Sequence, residues 1–121
     1  MKPCDFPPFD QTVQEMAVRL GDDDLSFAME IVGLLLEQVP LKLRGLKEQV
    51  AVRDCEGVRR QLHDLKGALA ILGIVPLQEC FSQIEELLEE GWEPFRAELW
   101  RFELLMEELL GEMRRYLLAT K

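Results

Sequence analysis

Residues 54 to 73 read DCEGVRRQLHDLKGALAILG. The apolar residues Val58, Leu62, Leu65, Leu69 and Leu72 recur at steps of four and three, the period of an α-helix rather than the alternation of a strand. Asp54 supplies an N-cap side chain for that helix, and Gly73 ends it. At ~100° per residue the leucines and Val58 gather on one side of the axis. His63 falls on a different face, with Glu56, Arg59, Arg60, Lys66, Gly67 and Ala70 all within about 60° of it. The leucine face is predicted to be core and the His63 face to be open to solvent.

The same period runs outward in both directions. Upstream, the Asp22-Asp23-Asp24 cluster opens a helix, because a capping carboxylate and acidic charge both favour a helix N-terminus. Its stripe is Leu25, Met29, Val32, Leu36, Val39, Leu43, Leu46 and Val50. Pro40 lies inside that register at a cost of about 3 kcal/mol for an unkinked interior, so a kink or brief break is expected there. A short helix from an Asp10 cap to about Leu20, ended by Gly21, precedes it, after a Pro-rich leader.

Downstream, Pro76 suits a first helical position. It opens a helix burying Leu77, Phe81, Ile84 and Leu88 and stopping at Gly91. A last helix from near Pro94 carries Phe95, Leu99, Phe102, Met106, Leu109, Met113 and Tyr116. No strand pattern occurs. Four long amphipathic helices on short turns predict an all-α, up-down antiparallel four-helix bundle with a short extra N-terminal helix. One domain is expected over residues 1–121, with the leader and short helix in 1–21 and the bundle in 22–119.

Composition narrows the function. Among 121 residues there are 23 acids, 14 bases and a single histidine, for a formal charge of −9. That balance argues against nucleic acid and anionic membrane surfaces as partners, since both require cations. No apolar run approaches the ~20 residues of a membrane span, and the N-terminus lacks the apolar core of a signal peptide. A soluble cytoplasmic protein is expected, with other proteins as partners. Cys4, Cys55 and Cys80 lie far apart, are odd in number and have one histidine to help them, so neither a disulfide framework nor a metal site is expected.

His63 is where chemistry is to be sought. An imidazole nitrogen is a competent nucleophile and is partly neutral near pH 7. A phosphoryl group placed on it would need a nearby cation, which Lys66 supplies from one turn away. It would also need room for a partner, which the small Gly67 and Ala70 leave. Glycine inside a helix costs roughly 1 kcal/mol against alanine, so Gly67 needs a reason; a close helix crossing is the other one.

Residues 63 to 73, His-Asp-Leu-Lys-Gly-Ala-Leu-Ala-Ile-Leu-Gly, resemble the His-x-x-Lys-Gly-x-x-x-x-x-Gly motif of histidine-containing phosphotransfer (HPt) domains. The likeness extends over about residues 22 to 118. It includes the long acid-started helix before the motif, the Arg53-Asp54 turn, and Leu77, Ile84 and Glu85 after it. The resemblance implies that His63 is phosphorylated, Lys66 stabilises the phosphate, Gly67 gives docking clearance and Gly73 is structural. Some family members carry a Gln that orients the imidazole or contacts the phosphoryl group, and Glu85 stands at that place. A carboxylate there could accept a ring proton but would repel phosphate.

The implied partners are response-regulator receiver domains or a hybrid sensor histidine kinase. The chain would be a phosphocarrier rather than an enzyme, needing no cofactor of its own, with Mg²⁺ on the receiver. A monomer is expected, since one bundle can bury all its stripes. No Gly-rich phosphate loop supports ATP binding, and Lys66-Gly67 departs from the pattern of a sensor kinase's dimerisation domain. A helical adaptor, a degenerate receiver-binding domain and the phosphate-accepting domain of a chemotaxis-type kinase remain alternatives.

Charge is uneven along the chain. Glu37 to Lys66 holds five acids and seven bases, a local +2, which makes the His63 region with Arg59 and Arg60 a candidate docking surface. From Glu79 onward there are eleven acids and five bases. The acidic pairs Glu85-Glu86, Glu89-Glu90 and Glu107-Glu108 are expected to be a solvated helix face.

Overall fold

A computed structural model describes residues 6–21 and 24–120. Asp22, Asp23, Cys4 and the first residues of the leader lie outside them. Within the described residues there are five α-helices and no strand: α1 (Phe9–Leu20), α2 (Leu25–Ala51), α3 (Cys55–Leu69), α4 (Val75–Glu90) and α5 (Trp92–Ala119). A 3₁₀ turn, Ala70–Leu72, extends α3. No helix among the described residues is long and apolar enough to cross a membrane.

Local chemistry accounts for the boundaries. The Asp24 carboxylate accepts from the Phe27 N–H at 3.2 Å, and the Asp54 carboxylate accepts from the Gly57 N–H at 3.0 Å, so α2 and α3 each open on a side-chain cap. Asp10, in contrast, lies in the first turn of α1, whose N-cap position is Pro8. Gly73 has φ +66° and closes the 3₁₀ turn in the left-handed region that glycine enters without a Cβ penalty. Arg19 on α1 donates to the Ile71 carbonyl at 2.8 Å, satisfying an acceptor at the end of that turn.

The structure refines three expectations. Of the kink or brief break expected at Pro40, no break occurs: α2 is continuous from Leu25 to Ala51. A proline removes one backbone donor, and burial of Val32, Leu35 and Val39 on one side and Leu46 on the other holds both halves to the core. The last helix starts at Trp92, two residues before Pro94, leaving only Gly91 between α4 and α5. Finally, the centre of the α2 core face is Ala28, Val32, Leu35, Val39 and Leu46; Leu25 is exposed, and Met29, Leu36, Leu43 and Val50 are half-buried. α2 packs against α1, α3 and α5, so its apolar face is broader than one stripe and turned from the expected line.

One apolar cluster draws on every helix. It takes Phe9, Val13 and Met16 from α1, Val58, Leu62, Leu65 and Leu69 from α3, Leu77, Phe81, Ile84 and Leu88 from α4, and Phe95, Phe102, Met106, Leu109 and Met113 from α5. Phe81 and Phe102 meet edge to face at 5.1 Å between ring centroids. α3 packs between α2 and α4. Lys42 meets Asp64 and Gly45 lies against Gln61, numbers that fall on α3 as they rise on α2. On the other side Arg59 meets Glu89 and Lys66 meets Glu85. The remaining, outward strip of α3 carries His63.

Candidate functional site

His63 sits past the middle of α3 and is exposed, as are Asp64, Gly67 and Ala70. Among the described residues it has no hydrogen bond or ion pair. The flanking leucines Leu62 and Leu65 are wholly buried and hold the helix against the core. The imidazole therefore projects from a fixed support.

Gly67 has open space where a Cβ would stand: no heavy atom of the surroundings lies within 4 Å. Close helix crossing, the ordinary reason for an interior glycine, does not apply here. Gly73, six residues on, is favoured by its φ of +66°; an added Cβ would also come to 2.7 Å from Arg19 Nη2, the flexible end of a side chain that can shift. Ala70 is exposed but belongs to the 3₁₀ turn rather than to α3.

The cations around His63 are mostly engaged. Lys66 Nζ donates to Glu85 Oε1 at 3.0 Å and to Ser82 Oγ at 3.1 Å. Arg59 pairs with Glu56 one turn before it and with Glu89 at 3.0 Å. The hydrogen bond and charge of Glu56, with the charge of Glu89 added, hold the Arg59 guanidinium above its ordinary value. Arg60 is exposed and has no ion pair among the described residues. Lys42 of α2 pairs with Asp64 at 2.9 Å.

The acidic helix face expected on α4 is thus not simply solvated. Glu85 and Glu89, four residues apart, both turn to α3 and neutralise its cations. The acid that is remote from the motif in sequence arrives beside it in space, because α4 packs on α3. Glu85 contacts Lys66, and no hydrogen bond joins it to His63. Glu85, His63, Arg60, Gln61 and Asp64 line one open groove. The sequence pattern does not single out Ser82 as a site residue. Its spacing of three from Glu85 places both on one face of α4, but only the pairing of α3 with α4 joins that face to Lys66.

Elsewhere, a groove between α2 and α5 is lined by Leu43, Leu46, Val50, Arg53, Arg96 and Leu99 and includes none of these residues. Cys55 and Cys80 are free thiols. No group of three or more His, Cys, Asp and Glu among the described residues could hold a metal ion.

The family model described as Hpt domain matches residues 30–116, more than half of the chain. The chain belongs to the Hpt domain family. The match runs from the first turns of α2 to the end of the α5 core stripe and leaves α1 outside it. Hpt domains act in histidine phosphotransfer within phosphorelays, as carriers rather than catalysts, and interact with receiver domains and kinases. No curated protein and no solved structure matches this Hpt chain.

Proposed function

We propose that this Hpt chain carries a phosphoryl group on His63. The group would be accepted from the aspartyl phosphate of a receiver domain, free or within a hybrid sensor histidine kinase, and donated to another receiver. One observation carries the reading: an Hpt domain needs a histidine, and the single histidine of the chain is exposed on α3 inside the matched segment.

In acceptance, the lone pair of a ring nitrogen attacks phosphorus, a P–N bond forms, and the P–O bond to the receiver aspartate breaks. The aspartate leaves as a carboxylate. The ring keeps its other N–H as a phosphoimidazolium until that proton passes to water. Lys66 would stabilise the phosphoryl oxygens, and the receiver would bring Mg²⁺ and most of the catalytic groups.

Gly67 and Ala70 leave the partner room to approach. Exposed Leu34 and Leu41, seven residues apart on one face of α2, add apolar surface; Lys42, next to Leu41, reaches Asp64. Arg60, which has no ion pair among the described residues, would supply docking charge toward an acidic receiver pocket, and Arg59 would add to it on exchanging Glu56 or Glu89 for the partner. The opposed contacts of α3 with α2 and α4, and the one-residue α4–α5 link, support an up-down antiparallel bundle. A single domain over residues 1–121, a monomeric state and a cytoplasmic setting complete the reading.

The test is incubation with a labelled phospho-receiver. Acid-labile label should appear on the wild-type chain and be lost completely in His63→Ala. Label that persists in His63→Ala would sink the assignment.

A further inference from the structure

The cation that a phosphoryl group on His63 would use is already held by an anion. The Lys66 and Glu85 side chains are only 30% and 26% exposed, while Asp64 and Glu89, the carboxylates in the other ion pairs joining α3 to its neighbours, are 63% and 66% exposed. Among the described residues, Lys66–Glu85 is therefore the least water-screened of the ion pairs joining α3 to its neighbours. Ser82 fixes the ammonium from the same side. An ammonium has three N–H donors, and two are engaged. The third could reach a phosphoryl oxygen, but from a cation whose charge Glu85 already balances. Glu85 also lines the groove that holds His63, so the Lys66–Glu85 pair sits at the edge of the space a phosphoryl group would enter.

We infer that Glu85 is a positioning residue that competes with the phosphoryl group for Lys66, keeping phospho-His63 sparsely populated so that the chain passes the group on rather than storing it. This rests on His63 being the phosphorylated residue. On phosphorylation the groove gains the charge of the phosphoryl oxygens beside the Glu85 carboxylate. Lys66 must then loosen from Glu85 or leave the new charge uncompensated, and either raises the free energy of the phosphorylated form. On donation the P–N bond breaks, the ring nitrogen recovers its lone pair, and Lys66 returns to Glu85 and Ser82. The competition therefore favours release.

The probe is phosphoramidate, which phosphorylates histidine without a protein partner: its P–N bond breaks, the P–N bond to His63 forms, and ammonia leaves. The full-length chain is equilibrated at a fixed phosphoramidate-to-ammonia ratio, and phosphorylated and free protein are measured by intact mass, with the label located at His63. Glu85→Gln keeps an oxygen that can accept from Lys66 and removes the charge. It should raise the phosphorylated-to-free ratio about two- to fivefold, the range expected for one partly screened ion pair. Glu85→Ala should give a similar rise and serves if the first variant does not fold.

In a Lys66→Ala background the effect of Glu85→Gln should fall by more than half, which a merely structural Glu85 would not produce. An unchanged or lower ratio in the folded Glu85 variants overturns the inference. So does an equal rise with and without Lys66. Those results leave the phosphotransfer reading intact, whereas absence of label on wild-type His63 overturns both.

Discussion

On one side of α3, Leu62, Leu65 and Leu69 are wholly buried, while His63 and Gly67, interleaved with them in sequence, are exposed. The first set is held by core side chains from the other helices. The second set has almost nothing of this chain around it: His63 has no partner among the described residues, and Gly67 faces open space. Residues that pack are surrounded by the fold, whereas the residues proposed to meet a partner are left unsurrounded. Lys66 stands between these conditions, half-buried and tied to α4.

The comparison breaks most visibly if the two sides can be exchanged. Leu65→Ala should lower stability by about 2–5 kcal/mol, read by denaturant unfolding, while the protein that stays folded still accepts label at His63. Loss of labelling with unchanged stability would contradict the division. Gly67→Phe should do the opposite, cutting phosphoryl exchange with a receiver by about tenfold or more while stability moves by less than about 1 kcal/mol. Normal exchange rates in that variant would remove the clearance role.

A finer test sets the two glycines against each other. Gly67→Ala should raise stability, by up to about 1 kcal/mol, because it removes the entropic cost of a helical glycine and meets no neighbour. Gly73→Ala should lower it by about 1–2 kcal/mol, since its backbone is left-handed. Thermal melts of the two variants should shift in opposite directions.

The smallest effect concerns Tyr116, on the core side of α5. Burial, with the charge of Asp10 adding to it, pushes its phenol above the ordinary value near 10. A raised acid favours its neutral form in the fold, so this contribution is intact below pH ~10 and lost as pH rises through the raised value. Ultraviolet titration of this single tyrosine should give a higher midpoint in the native protein than in denaturant, and Tyr116→Phe should flatten stability over that window.

Much of this was legible in the chain itself. Period and punctuation placed the helices to within a residue or two, and the wheel of α3 separated its leucines from His63. The misses share a cause. Leu34, Leu35 and Leu36 are consecutive and apolar, so the period alone draws the stripe through Leu36, whereas packing against α1, α3 and α5 buries Leu35 instead. The local cost of Pro40 does not break α2, because burial on both sides of it holds the helix to the core. Glu86, Glu89 and Glu90 are exposed as the acidic pairs predict, whereas Glu85 is drawn to Lys66, a cation on another helix that spacing along α4 does not reveal.

The sequence by itself determined that the chain is helical, that one face of α3 is core, and that its single histidine lies off that face beside a lysine and a glycine. These follow from short-range geometry, where residue spacing sets direction. Only the tertiary structure decided that Gly67 faces open space, that Arg19 closes the end of the motif helix, and that Lys66 is held by Glu85 and Ser82. Those depend on which surfaces of distant helices meet, and pairwise contacts across 16 and 19 residues of chain leave no periodic trace.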